Sequence, residues 1–221
     1  MIEDFHPDGD ALRYFGVYPA IVTNIVDPKS LGRIEVKFPT LGTDGDPVRA
    51  WATLLTPYAD DQQGYYVLPS VDTQVVVAFE AGNLRRPYIV GSCWNGKERQ
   101  PSTPESANNK RLIKTRSGSL LEFDDTAGAS KITISTQSGH TLLLDDGGMQ
   151  ITLTHANGSV IAFNPAGQIQ ITANATVEVT ASAMNVHAPA ATFDGIVNCT
   201  TLNASVGVIS PSYTPGAGNI W

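Results

Sequence analysis

The stretch from Arg116 to about Val206 restricts the fold of this chain more than any other. The phrase Arg116-Ser117-Gly118-Ser119-Leu120-Leu121-Glu122-Phe123-Asp124-Asp125 returns as Ser138-Gly139-His140-Thr141-Leu142-Leu143-Leu144-Asp145-Asp146. A degenerate third copy reads Asn157-Gly158-Ser159-Val160-Ile161-Ala162-Phe163-Asn164. After each copy come a turn and a short alternating strand: Ile132-Thr133-Ile134, Ile151-Thr152-Leu153 and Ile169-Gln170-Ile171. The glycines step by 21 residues and then by 19. A drifting period with turns at fixed phase predicts a β-solenoid-like array rather than a compact domain.

From Ile171 to Ala183 every odd position is apolar and every even position is polar. Period two predicts an extended strand with two unlike faces. The apolar face there is mostly alanine and valine, so its packing partner must come very close. The phase slips at Met184, where a bend or bulge is expected. Charge is scarce in the same region: no Lys or Arg follows Lys131, and only Asp145, Asp146, Glu178 and Asp194 are charged beyond it. The chain as a whole is 16% charged, against roughly 25% in an ordinary soluble domain. A long strand array with small apolar faces and open edges would aggregate as a monomer. The reading is therefore an elongated, intertwined oligomer whose chains cover one another.

The net charge of −7 argues against nucleic acid or anionic membranes as electrostatic partners. Met1-Ile2-Glu3-Asp4-Phe5 lacks the basic start and apolar core of a signal peptide, and bacterial cytoplasmic synthesis is expected. No apolar run of about 18 residues is present to span a bilayer. Cys93 and Cys199 are isolated and define neither a disulfide framework nor a zinc spacing.

Five regions follow. Residues 1–13 form a polar, acidic arm. Residues 14–96 hold short strands separated by turns, around Tyr14 to Val26, Arg33 to Phe38, Ala50 to Leu54, Tyr65 to Leu68, Thr73 to Phe79 and Tyr88 to Gly91. Twelve of the seventeen aromatic residues lie before residue 100. Short strands with an aromatic core predict a small closed barrel of the OB-fold type. Residues 97–116 read as a linker, 117–205 as a needle of β-helical repeats, and 206–221 as a closing tip or cap, since Pro211, Pro215, Gly216 and Gly218 break any regular strand.

These pieces together resemble the central spike of contractile injection machines: the baseplate assembly protein V of contractile-tailed phages and the VgrG spike of type VI secretion. The resemblance rests on Gly32-Arg33-Ile34-Glu35-Val36-Lys37-Phe38-Pro39, Trp51-Ala52, Gly64 with Pro69, Val75 through Asn83, Arg86-Pro87, Gly91, Trp94-Asn95, and Ser117-Gly118 through Asp125. It implies an OB-fold followed by a homotrimeric β-helical needle, and a place in the tail baseplate of a virion or injection particle. It also implies a hub protein at the OB-fold end, a PAAR-like tip protein at the other, and transient contact with the target cell envelope. The family commonly has glycine where this chain has Asp72. VgrG proteins fuse a hub domain ahead of the OB-fold, so a separate hub chain is expected here. Some short spikes hold iron at a His-x-His tip, a motif that His187-Ala188-Pro189 does not match.

Asp124-Asp125 and Asp145-Asp146 are paired carboxylates, as a polysaccharide hydrolase would need, but both pairs precede turns, where Asp serves its own backbone. A β-helical carbohydrate-active tail enzyme with an OB-like binding module is thus the second reading, and no catalytic residue is assigned. His140, His155 and His187 read as surface or loop residues. An axial residue occurs three times in a trimer, which makes His187 the candidate for an axial metal site; no other cofactor is expected. Trp51, Tyr65, Tyr66 and Trp94 could stack on single-stranded nucleic acid, but the core is expected to claim these rings. Arg85-Arg86 reads as a turn or interface feature. At the C-terminus, Tyr213, Ile220 and Trp221 are the candidates for docking a tip protein.

Overall fold

The structure is a computed structural model that describes residues 13–43 and 45–210. It is all-β apart from one short 3₁₀ turn, Glu80–Gly82. The strands are β1 (Val17–Asn24), β2 (Arg33–Thr43), β3 (Asp46–Leu54), a small hairpin of β4 (Ala59–Asp60) and β5 (Gln63–Gly64), β6 (Gln74–Phe79), β7 (Pro87–Ser92), β8 (Lys110–Lys114), β9 (Leu120–Asp124), β10 (Lys131–Ser135), β11 (Thr141–Asp145), β12 (Gln150–Thr154), β13 (Val160–Phe163) and β14 (Ile169–Thr172).

Five strands close into a barrel in the order β1-β2-β3-β7-β6, and β6 returns to β1. Only β3 and β7 run parallel. This is a five-stranded closed barrel of the OB type. Alternation builds its core: Ala20 and Val22 from β1, Ile34, Val36 and Phe38 from β2, Ala52 from β3, Val75, Val77 and Phe79 from β6, and Ile89 from β7 are all buried. Phe38 and Phe79 pack with ring centroids 5.4 Å apart.

Most of the aromatic residues assigned to this core lie elsewhere. Tyr65, Tyr66 and Trp94 are exposed, Tyr66 at 83%, and no strand runs over Tyr65 to Leu68. A barrel this narrow is filled by aliphatic side chains and two phenylalanines, which leaves the bulky rings for loops. Asp72 has a left-handed backbone (φ 68°). That conformation favours glycine and tolerates aspartate, so the departure at this position has a direct physical reason.

Strands β8 to β14 form one antiparallel sheet in sequence order. Residues 110–114, read as part of the linker, form its first strand. The repeat is a hairpin, not a solenoid coil within one chain. Gly118, Gly139 and Gly158 sit at φ near +90° at the end of three-residue turns. In each turn one pair of backbone bonds closes the hairpin, as where Thr136 N–H donates to His140 O and Gly139 N–H to Thr136 O. A left-handed third turn residue reverses the chain sharply, so successive repeats lie side by side.

Beyond Thr172 no further strand forms among the described residues, and every residue from 174 to 210 is exposed. The strand expected through Ala183 is absent, because no described neighbour in the same chain offers it a ladder.

Candidate functional site

The register of the β8–β14 sheet sorts its side chains into rows. One row holds Phe123, Ile132, Leu144, Ile151, Phe163 and Ile169; another holds Ile113, Leu121, Ile134, Leu142, Leu153, Ile161 and Ile171. The two rows are separated by one residue along each strand and therefore share a face. Arg111 is the single charged residue in them. The other face is mixed, with Glu122, Thr133, Thr152 and Gln170 beside Leu112, Leu143 and Ala162 in its central row.

Among the described residues nothing covers the apolar face. Ile134, Leu153, Phe163, Ile169 and Ile171 are all exposed. So are Val177, Val179, Val186 and Leu202 beyond the sheet, and Val206 and Ile209 fully. A patch of this extent marks an interaction surface.

The carboxylate pairs resolve into structural parts. Lys110, Asp124, Lys131 and Asp145 face one another in alternating charge across four strands. Asp124 Oδ1 accepts from the Thr126 hydroxyl at 2.6 Å and the Thr126 N–H at 3.0 Å, and these bonds hold its pKa below the ordinary value. Asp145 accepts from the Gly148 N–H at 2.9 Å, the main cause of its own lowered pKa, and lies 3.6 Å from Lys131 Nζ. Asp125 and Asp146 enter the turns, where their backbone N–H groups bond to Asn109 O and Ser130 O.

Two histidines read as scattered are brought together. His140 and His155 extend the β11–β12 register, with ring centroids 4.4 Å apart. Each Nδ1 accepts a backbone N–H, from Ala156 and Asn157 respectively. The signal was available in sequence only once the hairpin register was known. His187 is exposed in the strand-free stretch. Among the described residues of one chain, no three His, Cys, Asp or Glu side chains converge as a metal site. Tyr213, Ile220 and Trp221 lie outside the described residues.

The barrel contains one polar cluster that sequence reading missed. The Asp27 side chain, 2% exposed, accepts from Arg33 Nε at 2.8 Å and Nη2 at 3.0 Å. It also accepts the N–H groups of Lys29 and Leu31. The Arg33 guanidinium, helped by these amides and opposed by desolvation, holds the Asp27 carboxyl far below the usual carboxylate range. Arg33 in turn lies 5.8 Å from the Trp51 ring centroid. The cluster ties the β1–β2 loop to the barrel wall.

The chain thus joins a closed OB-type barrel to a sheet whose apolar face no described residue covers, the plan of a self-associating structural protein. Family comparison agrees along both halves. Residues 18–94 match the type VI secretion system/phage-baseplate injector OB domain, and residues 131–192 match the phage baseplate V C-terminal trimerisation domain. The type VI secretion system spike protein VgrG3 of Vibrio cholerae serotype O1 (El Tor Inaba) is 24% identical over 123 residues, 52% of this chain and 12% of the relative. The actin cross-linking toxin VgrG1 of a classical Ogawa strain is 23% identical over 122 residues, 52% of this chain and 11% of the relative. The match spans only about an eighth of these relatives' length. The chain belongs to the baseplate V and VgrG-like spike family.

Proposed function

We propose that three copies of this chain form the central spike of a contractile-tail baseplate, and that sheath contraction drives the spike into a target cell envelope. The observation that carries this reading is the uncovered apolar face, which overlaps the trimerisation match over β10 to β14. Three such faces turned toward a common axis would bury one another. The exposed residues 174–210 would then find in neighbouring chains the ladder partners that the described part of their own chain lacks. Interlocked strands suit a part under axial load, because freeing one chain would break many contacts at once. The scarcity of charge beyond Lys131 suits passage through a membrane.

A hub protein at the barrel end and a PAAR-like tip protein at the C-terminal end, seated on Tyr213, Ile220 and Trp221, complete the proposed assembly. A metal on the axis would require one His187 from each of three copies, so it belongs to the trimer and not to the single chain. The engagement of Asp124 and Asp145 in turns and cross-strand ion pairs favours the structural reading over a polysaccharide hydrolase. Light scattering for mass, with small-angle scattering for shape, tests the proposal. A rod of three chains supports it; a compact monomer overturns it.

A further inference from the structure

We propose that Asn95, at the start of the linker between barrel and sheet, is a site of spontaneous deamidation, and that the same dipeptide at Asn157 is protected by its fold. Asn–Gly occurs twice in the chain, at Asn95-Gly96 and Asn157-Gly158. The reaction requires the glycine backbone nitrogen to reach the asparagine side-chain carbonyl, and glycine has no Cβ to hinder that approach. Both asparagines are exposed. Their side chains are also held alike: Asn95 Oδ1 accepts the Lys97 N–H at 2.9 Å, and Asn157 Oδ1 accepts the Ser159 N–H at 2.9 Å. Each of these amides donates to the oxygen on which negative charge develops during attack. The two electrophiles are therefore equivalent, and the nucleophiles decide.

The Gly158 N–H is donated to His155 O at 2.8 Å, one of the bonds that close the turn between β12 and β13. The Asn174 side chain packs against the same glycine, 3.3 Å from where a Cβ would stand, and donates to Asn157 O. Attack by the Gly158 nitrogen would have to open that turn. Among the described residues no group accepts from the Gly96 N–H, and nothing stands within 4 Å of where a Gly96 Cβ would be. Here the Gly96 nitrogen gives its proton to solvent and bonds to Asn95 Cγ. The Cγ–Nδ2 bond then breaks, and Nδ2 leaves as ammonia with a proton taken back from solvent. Water opens the resulting cyclic imide at one carbonyl or the other, leaving aspartate or isoaspartate. Conversion replaces the Asn95 Nδ2 that donates to Gln74 Oε1 at 2.6 Å by a carboxylate oxygen. That bond ties the linker back to β6, so the reaction removes the tie, and the isoaspartate form also routes the main chain through Cβ. The joint between barrel and sheet carries a one-way chemical clock.

Peptide mapping by mass spectrometry tests the proposal on the full folded chain, held in mildly alkaline buffer and sampled over time. Conversion at Asn95 is expected to run about tenfold faster than at Asn157, the factor to which one ordinary hydrogen bond on Gly158 corresponds. The Asn95 product should resolve into two isomers of equal mass, aspartate and isoaspartate. In urea, where the turn at Gly158 no longer holds its N–H, the two sites should convert at similar rates. Asn95→Gln lengthens the side chain by one carbon and should abolish the fast reaction while leaving the Asn157 rate unchanged. Equal rates at the two sites of the folded chain, or faster conversion at Asn157, overturn the proposal. So does a tenfold difference that persists in urea, because the fold would then not be its cause.

Discussion

Ile171→Asp probes the face on which the trimer depends. Ile171 sits on the outermost strand, opposite Ile161, and is 59% exposed in one chain. Its replacement should barely disturb a lone protomer. Full burial of an isoleucine contributes about 1.5–3 kcal/mol, so covering the exposed part is worth about 1–2 kcal/mol per copy. A homotrimer loses that three times, about 3–5 kcal/mol, or roughly a hundred- to ten-thousand-fold in assembly, before any cost of burying the carboxylate. Gln170→Asp supplies the control, because Gln170 is the adjacent residue on the opposite face. The assay is mass by light scattering over a dilution and urea series. Ile171→Asp should fall to single chains well before the wild type, and Gln170→Asp should follow the wild type. Equal resistance of Ile171→Asp and wild type, or equal damage from Gln170→Asp, would refute the assignment of this face to the interface.

Three further outcomes are expected. Phe38→Ala empties a fully buried site against Phe79 and should destabilise the barrel by about 3–5 kcal/mol in urea unfolding followed by tryptophan emission; a loss under about 1 kcal/mol would mean that the core is not as described. Gly139→Ala forces a side chain into φ +96° and should cost about 1–2 kcal/mol per copy, read as a lowered thermal midpoint of the sheet. The Asp27 carboxyl is depressed in the folded state, so its stabilisation is complete above the unfolded value near pH 4. It declines below that as the unfolded chain binds the proton first, and is lost as pH falls through the folded value. The stability gap between wild type and Asp27→Asn should therefore be constant from pH 5 to 7 and narrow below about pH 4; a gap independent of pH would exclude this linkage.

Much of the candidate site was legible before the fold. The glycine phase at Gly118, Gly139 and Gly158 marked the turns, and the alternation after each marked the strands, because both follow from local backbone sterics. The turn role of Asp124 and Asp145 was legible for the same reason. The cross-strand lysines that also face them were not, since register depends on pairing between distant residues. The same limit hid the His140–His155 pair and the burial of Asp27, whose partner Arg33 reaches it only once the β1–β2 loop has closed.

The sequence by itself determined that the chain is all-β, that an OB-type barrel precedes a repeat array, and that the array needs partner chains. Those conclusions rest on period, turn chemistry and the loss of charge after Lys131, which are local or compositional. Only the tertiary structure decided that the repeats are antiparallel hairpins, which face gathers the apolar rows, and which aromatics leave the core. Each of these depends on how strands pair and how much volume a closed barrel encloses. Pairing and enclosed volume arise between segments far apart in the chain, so no short stretch of sequence carries them.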